Sequence, residues 1–515
     1  MKEKKYLIFS TVILIALLVF GVSYSFYKAR IEGDTKSISL KTKGIYLLYK
    51  GDLNLVSGYI EPGWSVTKTF TIENQSSSEE KYNIYIKDLV NTFETSGYLQ
   101  YKITSTNTGY NMTGYKDIPK SSIATDTVLA YNVTVAAKTS QVYTIELRYL
   151  DTDNDQSADM NKTLSGLLMI KEGSYPTLSE VILRDNPTIS ERTDFSITNT
   201  ANTTGTIYQT NKTEDGSTVY YYSGNTTNNW VKFAGFYWRI IRTNEDGSTR
   251  LLYSGTSHDT TSGYIGKSAY NSTYNDPIYV GYMYGTTGSL ANNRTNTNDS
   301  TIKTVIDTWY KNNLLTNYDK YISKTAIYCN DRSVESGTYS ITTYNPFSYG
   351  GYIRIYTNKT PSYKCGASTS NGLIESTQSV ADKFSASTTG GGNGQLTYPI
   401  ALMTTDEVAF AGGLYGALNT KAWYYTNSNG KSPIVGSTAH WCTMTPQSGS
   451  ASGSAVMCVC NSDDPGLIRG NLPDTENRVR PALSLKACVK YSSGNGTPES
   501  PYEVTIDDIC VSAEN

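Results

Sequence analysis

Histidine is almost missing from this chain of 515 residues: His258 and His440 are the only two. A Ser-His-Asp triad would have to use one of them, and no serine sits in the strand-turn-helix elbow that such a nucleophile needs. Hydrolysis through imidazole is therefore disfavoured. Charge is scarce as well. Charged residues make up 17% of the chain and the formal net charge is -2, which offers no basic footprint for a phosphate backbone and disfavours nucleic acid as a partner. No cysteine precedes Cys329. Apart from one N-terminal segment, long apolar runs are absent, and no sorting motif or second apolar span follows Ile509.

That one segment sets the expected location. Lys2, Lys4 and Lys5 precede an apolar run from Tyr6 to about Phe26, at the ~20-residue length that spans a bilayer. The charge bias places the N-terminus inside and the rest outside. Ser23-Tyr24-Ser25 also offers a small-x-small cleavage site. Residues 1–30 thus read as a signal peptide or an N-terminal membrane anchor. The expected location is the outer face of the cell membrane, or the secreted or surface fraction, of a Gram-positive-like bacterium.

What the chain does contain is Thr, Asn, Ser, Gly and 44 Tyr, residues of half-buried strands and of the turns between them. Length alone predicts more than one domain. Over residues 36–172 apolar positions alternate in short runs: Val66, Phe70 and Ile72; Tyr82, Ile84 and Ile86; Tyr143, Ile145, Leu147 and Tyr149. This period-two pattern predicts an antiparallel β-sandwich. The run Glu61-Pro62-Gly63-Trp64-Ser65-Val66, followed by Phe70-Thr71-Ile72-Glu73-Asn74, resembles the TasA/camelysin family, as does Gly21-Val22-Ser23-Tyr24-Ser25-Phe26. The likeness rests on short motifs across roughly residues 15–172. It implies a jelly-roll-like sandwich and self-assembly into surface fibres by strand exchange, against the plainer alternative of a stalk.

Residues 173–214 read as a linker holding one short helix at Leu178–Arg184. The stretch Asn186–Asn211 is rich in Thr, Asn and Ser. From 215 to 515 an α+β domain is expected. Asp246-Gly247 joins two apolar strands, favouring a tight primed turn. Asp299-Ser300 can cap a helix carrying Ile302, Val305, Ile306 and Trp309. Thr404-Thr405-Asp406-Glu407 is a capping box, stopped by Gly412-Gly413. This second helix, the later Trp441-Cys442-Thr443-Met444-Thr445-Pro446, and Arg478-Val479-Arg480-Pro481-Ala482-Leu483-Ser484-Leu485 together resemble bacterial surface domains of unknown function. Their style is C-type-lectin-like or formylglycine-enzyme-like. The resemblance covers about residues 215–491 and implies that fold; no motif carries the catalytic cysteines of formylglycine-generating enzymes onto this chain. The fold class expected overall is mainly β with an α+β C-terminal domain.

Candidate sites follow from residue type. His440, Cys442, Cys458 and Cys460 would share a face if their strands were neighbours, a donor set for zinc or copper. The competing reading outside the cell is a disulfide from Cys442 to Cys458 or Cys460. Cys329 with Cys365, and Cys488 with Cys510, are the favoured remaining pairings, although spacing alone leaves connectivity open. Asp151-Thr152-Asp153-Asn154-Asp155, with Asp159, resembles the start of a calcium loop, but Gln156 and Lys162 stand where an EF-hand needs Gly and Glu. A polar turn is the better reading, and no cofactor is expected. Tyr237, Trp238, Trp423, Tyr424 and Trp441 could stack on sugar rings. Arg480 is expected to pair with a buried carboxylate such as Glu407. The function expected is binding or adhesion to a glycan, peptide or cell-wall polymer, of host or bacterial origin. The alternatives are a fibre subunit and a metal-dependent oxidase-like enzyme.

Overall fold

The computed structural model describes residues 37–41, 46–56, 59–366, 381–387, 393–434, 436, 439–460, 464–505 and 510. Residues 1–30, and Gly390 to Gly392 of the glycine run, lie outside the described residues. Among the described residues, no helix is long and apolar enough to cross a membrane. The fold is mainly β, with several antiparallel and mixed sheets. The chain divides into two compact units, Met1–Tyr175 and Pro176–Asn515.

In the first unit, six antiparallel strands form one sheet in the order 37–41, 46–51, 65–74, 140–149, 99–105, 116–117. Three more, ordered 121–135, 80–91, 164–172, form another. Alternation decides which side chains turn inward. Phe70, Ile72, Tyr143, Ile145 and Leu147 from one sheet meet Ile84, Ile86, Leu168 and Ile170 from the other in a single core. Each such side chain stabilises the unit by about 1.5–3 kcal/mol relative to exposure. The Pro-Gly motif has a direct structural role. Trp64 N–H donates to Glu61 O at 2.9 Å with Gly63 at φ 83°, a type II turn that starts the strand Ser65–Asn74. Asn74 ends that strand buried. Its amide donates to Ser78 O, Val135 O and Ala136 O at 2.8–3.1 Å, and its Oδ1 accepts from Ser76 N–H.

The acidic stretch after residue 150 is a turn. Buried Asp159 accepts from Glu94 N–H at 2.5 Å, Thr95 N–H at 3.1 Å and the Tyr149 hydroxyl at 2.9 Å. Burial opposes its ionisation, yet these hydrogen bonds outweigh it and hold the carboxyl below its ordinary range. Asp155 is occupied by Ser157 N–H. The oxygens are spent on the chain itself.

The second unit begins well before residue 215. The helix Leu178–Asp185 forms as expected, with a Thr177–Glu180 capping box. The stretch read as linker then supplies Thr188–Ser190 and Thr206–Thr210, which pair with each other, and the second of them pairs with Val219–Tyr221 at one end of a ten-stranded sheet. Its polar composition masked short strands, in which Ile207 alone of the paired residues is fully buried. Farther into this sheet, Phe236–Thr243 pairs with Thr249–Gly255, and that strand with Pro481–Leu485. Pro481 lies at the strand's first position, where a missing N–H is tolerated. A second sheet of seven strands carries Trp441–Ser450 paired to Gly453–Val459. Both expected helices are present, Thr301–Asn313 capped by Ser300 and Thr405–Phe410 with its complete capping box.

The turn at Asp246-Gly247 differs from expectation. Asn244 N–H donates to Ser248 O and Gly247 N–H to Asn244 O, with positive φ only at Gly247. This is a three-residue loop closed by a left-handed glycine, not a two-residue primed turn. Asp246 keeps negative φ because its Oδ1 accepts from both Ser248 N–H and the Ser248 hydroxyl.

Candidate functional site

The strands around Arg242 and Arg250 are apolar on both faces, so each arginine enters the interior beside Ile and Leu neighbours. The hairpin loop just described stands over them. The first turn of the helix Thr405–Phe410 faces them with Asp406 and Glu407. Together with the segments 214–215, 325–329 and 362–364, these elements enclose a cleft of about 270 Å³. The disulfide Cys329–Cys365 ties one wall to the strand Tyr328–Asn330, and Cys365 N–H donates to Glu214 Oε1 at 2.6 Å.

Three arginines line this cleft and differ in how they are held. Arg354 is saturated. It grips Asp406 through two parallel bonds of 3.1 and 3.0 Å and Asp331 through a third of 2.6 Å. Although burial lowers its pKa, Asp406 and Asp331 more than compensate and raise it above the ordinary value. Arg250 is 1% exposed. Its Nε lies 2.5 Å from Glu407 Oε1, close in distance but poorly aligned, and its Nη2 donates to Leu402 O at 3.1 Å. Its Nη1 has no hydrogen-bond partner among the described residues. Arg242 makes only long contacts: 3.3 Å to Thr243 O, 3.5 Å to Glu245 and 3.5 Å to Glu407. Its guanidinium stacks 4.4 Å above the Tyr363 ring, whose buried hydroxyl is also unpartnered. Glu407 Oε2 is occupied by Thr404 N–H at 2.9 Å. On the rim, Glu245 is partly exposed and Asp246 and Asp215 fully so.

The residues expected to form sites lie elsewhere. Trp238, Trp423, Tyr424 and Trp441 are at most 1% exposed, and only Tyr237 is half-buried. These rings are core, so they offer no face to a sugar. Trp423 and Trp441 instead lie under buried cations: Arg239 packs against Trp230 and Trp423, and Arg480 lies 5.1 Å from Trp441. Arg480 does not pair with Glu407. It donates to the carbonyls of Tyr253 and Tyr424 at 3.2 and 2.7 Å, and burial lowers its pKa to about 9. Glu407 is taken by Arg250, because the helix turns its first turn toward that strand.

The proposed metal ligands do not converge. Cys442 and Cys458 are directly opposite on paired strands and form a disulfide. Cys460 is a buried thiol whose pKa burial raises to about 12. His440 Nε2 lies 3.2 Å from Arg469, a cation where a metal ligand set would hold another donor. Among the described residues no group of three such side chains could hold a metal ion. Cys329–Cys365 and Cys488–Cys510 are both bonded. The sequence reading passed over Arg242, Arg250 and Arg354, although one signal was present. In a charge-poor chain, an arginine inside Phe236-Tyr237-Trp238-Arg239-Ile240-Ile241-Arg242 or Thr249-Arg250-Leu251-Leu252 is costly to bury and asks for a reason.

Comparison with protein-family models, with curated proteins and with solved structures finds no match.

Proposed function

We propose that this chain is a binding or adhesion module of a bacterial surface, and that the cleft over Arg242 and Arg250 is where it takes its ligand. One observation carries this reading: a concave site of about 270 Å³ floored by Arg250, buried and incompletely bonded, and by Arg242, held only at 3.3–3.5 Å. Such sites fix a ligand's orientation through a few polar groups. Neither histidine lines the cleft, so Ser362 and Thr404 have no imidazole base there. That favours binding over hydrolysis. The three disulfides suit an oxidising, extracytoplasmic compartment. In this reading the first unit is a jelly-roll-like sandwich related in style to TasA/camelysin, and the second a C-type-lectin-like or formylglycine-enzyme-like domain. The partner is a glycan, peptide or cell-wall polymer. The test is saturable binding of the full-length protein to panels of these, repeated with Thr325→Trp, which fills the mouth. Binding abolished by the plug supports the cleft; binding indifferent to it removes the cleft from consideration.

A second reading, a fibre subunit, draws on one feature of the first unit. Among the described residues the 15-residue strand Ser121–Val135 pairs only with Glu80–Asn91, and Ile123 on it is 73% exposed. A long free edge is a template for another strand. Concentration-dependent sedimentation that Ile123→Lys abolishes would support it, and a monomer at all concentrations would end it.

A further inference from the structure

The two arginines on the cleft floor are held more weakly than the other buried cations around them. Arg332 makes bonds of 2.5–2.7 Å to Asp382, Asn293 and Asn296, and Arg354 bonds of 2.6–3.1 Å to two carboxylates. Among the described residues Arg242 has no hydrogen-bond acceptor closer than 3.3 Å, and its Nη2 donates to none. Arg250 leaves Nη1 without a partner at 1% exposure. A buried donor left unmade costs about 1–3 kcal/mol. Arg250 is in this condition, and beside it on the same cleft floor Arg242 is held only by bonds of 3.3–3.5 Å. The planar guanidinium fork matches a carboxylate bidentately, and the Arg242 guanidinium lies 4.4 Å from the centre of the Tyr363 ring.

The surroundings narrow the anion. Glu245 Oε2 is 3.5 Å from Arg242 Nη1, and Asp246 and Asp215 stand exposed on the same rim. A multiply charged phosphate would meet these carboxylates at close range. A single carboxylate with a cationic amine beside it would instead complement both: carboxylate on Arg242, ammonium on Glu245. We infer that the cleft binds a zwitterion, the α-amino and α-carboxyl groups of a free amino acid or the charged terminus of a short peptide. This deepens the binding reading and rests on it.

The experiment is calorimetric titration of the full-length protein with free amino acids and with alanyl dipeptides, each against its carboxamide and its N-acetyl form, and with inorganic phosphate. Saturable binding of the zwitterion is expected, weakened about tenfold or more in the carboxamide. Arg242→Lys keeps the charge but loses the fork, and should weaken binding by a similar factor. Glu245→Gln should remove the preference for the free amine over its acetylated form while leaving the carboxylate requirement. The two peptide arms separate a free amino acid from a chain terminus. Equal affinity for acid and amide, phosphate binding in preference, or no response up to about 10 mM overturns the inference. If a neutral saccharide then saturates a site that Thr325→Trp blocks, the zwitterion is refuted and the cleft still binds. If no probe of any class responds, both readings fall.

Discussion

Glu407 is where the cleft's stability and its charge balance meet, and its replacement is the sharpest test of the arrangement. The side chain is 3% exposed. One oxygen lies 2.5 Å from Arg250 and 3.5 Å from Arg242, while the other closes the capping box on Thr404 N–H. In Glu407→Ala, Arg250 loses its only carboxylate and Arg242 keeps only Glu245. Removing one partner of a buried ion pair costs about 3–5 kcal/mol, and the orphaned Thr404 N–H adds roughly 1–3 kcal/mol. Because these terms share one relaxation, the expected total is about 4–6 kcal/mol. Glu407→Leu combined with Arg250→Met removes both charges and should cost far less than the sum of the singles, with a coupling of about 2–3 kcal/mol. The assay is urea unfolding of the oxidised full-length chain followed by tryptophan fluorescence, since five of the six tryptophans lie in the second unit. A Glu407→Ala cost below about 1 kcal/mol, or additive singles, would refute the claim that this pair is buried and mutually dependent.

Other expectations concern separate parts of the molecule. Breaking Cys442–Cys458, which closes 16 residues, by a double change to Ala should lower stability by roughly 3 kcal/mol, measured as a drop in the urea midpoint of the second unit. Without reductant, mass spectrometry should find one alkylated thiol after denaturation, at Cys460, and none in the native protein. The Asp159 carboxyl is held below its unfolded value near 4, so the unfolded chain binds the extra proton and stability rises with pH. Its contribution is complete above about pH 5 and fades as pH falls through the folded value; Asp159→Asn should flatten the acid limb of the first unit's unfolding profile, and an unchanged limb would discount the three hydrogen bonds. Asn74→Ala removes the amide's bonds to Ser78 O, Val135 O and Ala136 O and should destabilise the first unit by about 2–3 kcal/mol in the same assay.

What could be read in advance was what depends on local periodicity and on single-residue backbone chemistry. Alternation at Phe70–Ile72 and at Tyr143–Tyr149 fixed which faces turn inward, and the box Thr404–Glu407 fixed where a helix starts. Thr188–Ser190 and Thr206–Thr210 escaped notice because three to five residues are too few for period-two alternation to stand out among Thr and Asn. The tryptophans misled for a different reason. Aromatic residues in a β-rich chain are equally good sugar platforms and core fillers, and only burial decides between them. Pairing across distance was the least legible. Arg480 was expected to pair with Glu407 and instead meets carbonyl oxygens, while Glu407 takes Arg250, because partners across strands depend on strand order, which no local pattern encodes.

The same point explains why the arginines deserve weight as evidence of function. Arg239 and Arg480 meet no carboxylate among the described residues, yet each is bonded to carbonyl oxygens at 2.7–3.2 Å and packs near an indole ring. Their burial is satisfied locally and asks for nothing further. Arg354 and Arg332 are satisfied by carboxylates. Arg250 keeps a donor without an acceptor among the described residues and Arg242 has only long bonds, and these two floor the cleft beside a partly exposed Glu245. An apolar side chain of similar volume at Arg242 gives up only contacts of 3.3–3.5 Å, and it orphans no buried charge, since Glu407 keeps Arg250 and Glu245 is partly exposed. Arg242→Met should therefore leave the urea midpoint of the second unit unchanged or raise it, while removing ligand binding. An unfolding free energy lowered by more than about 2 kcal/mol would mean instead that Arg242 is held by the fold after all, and that the long distances around it understate its bonds.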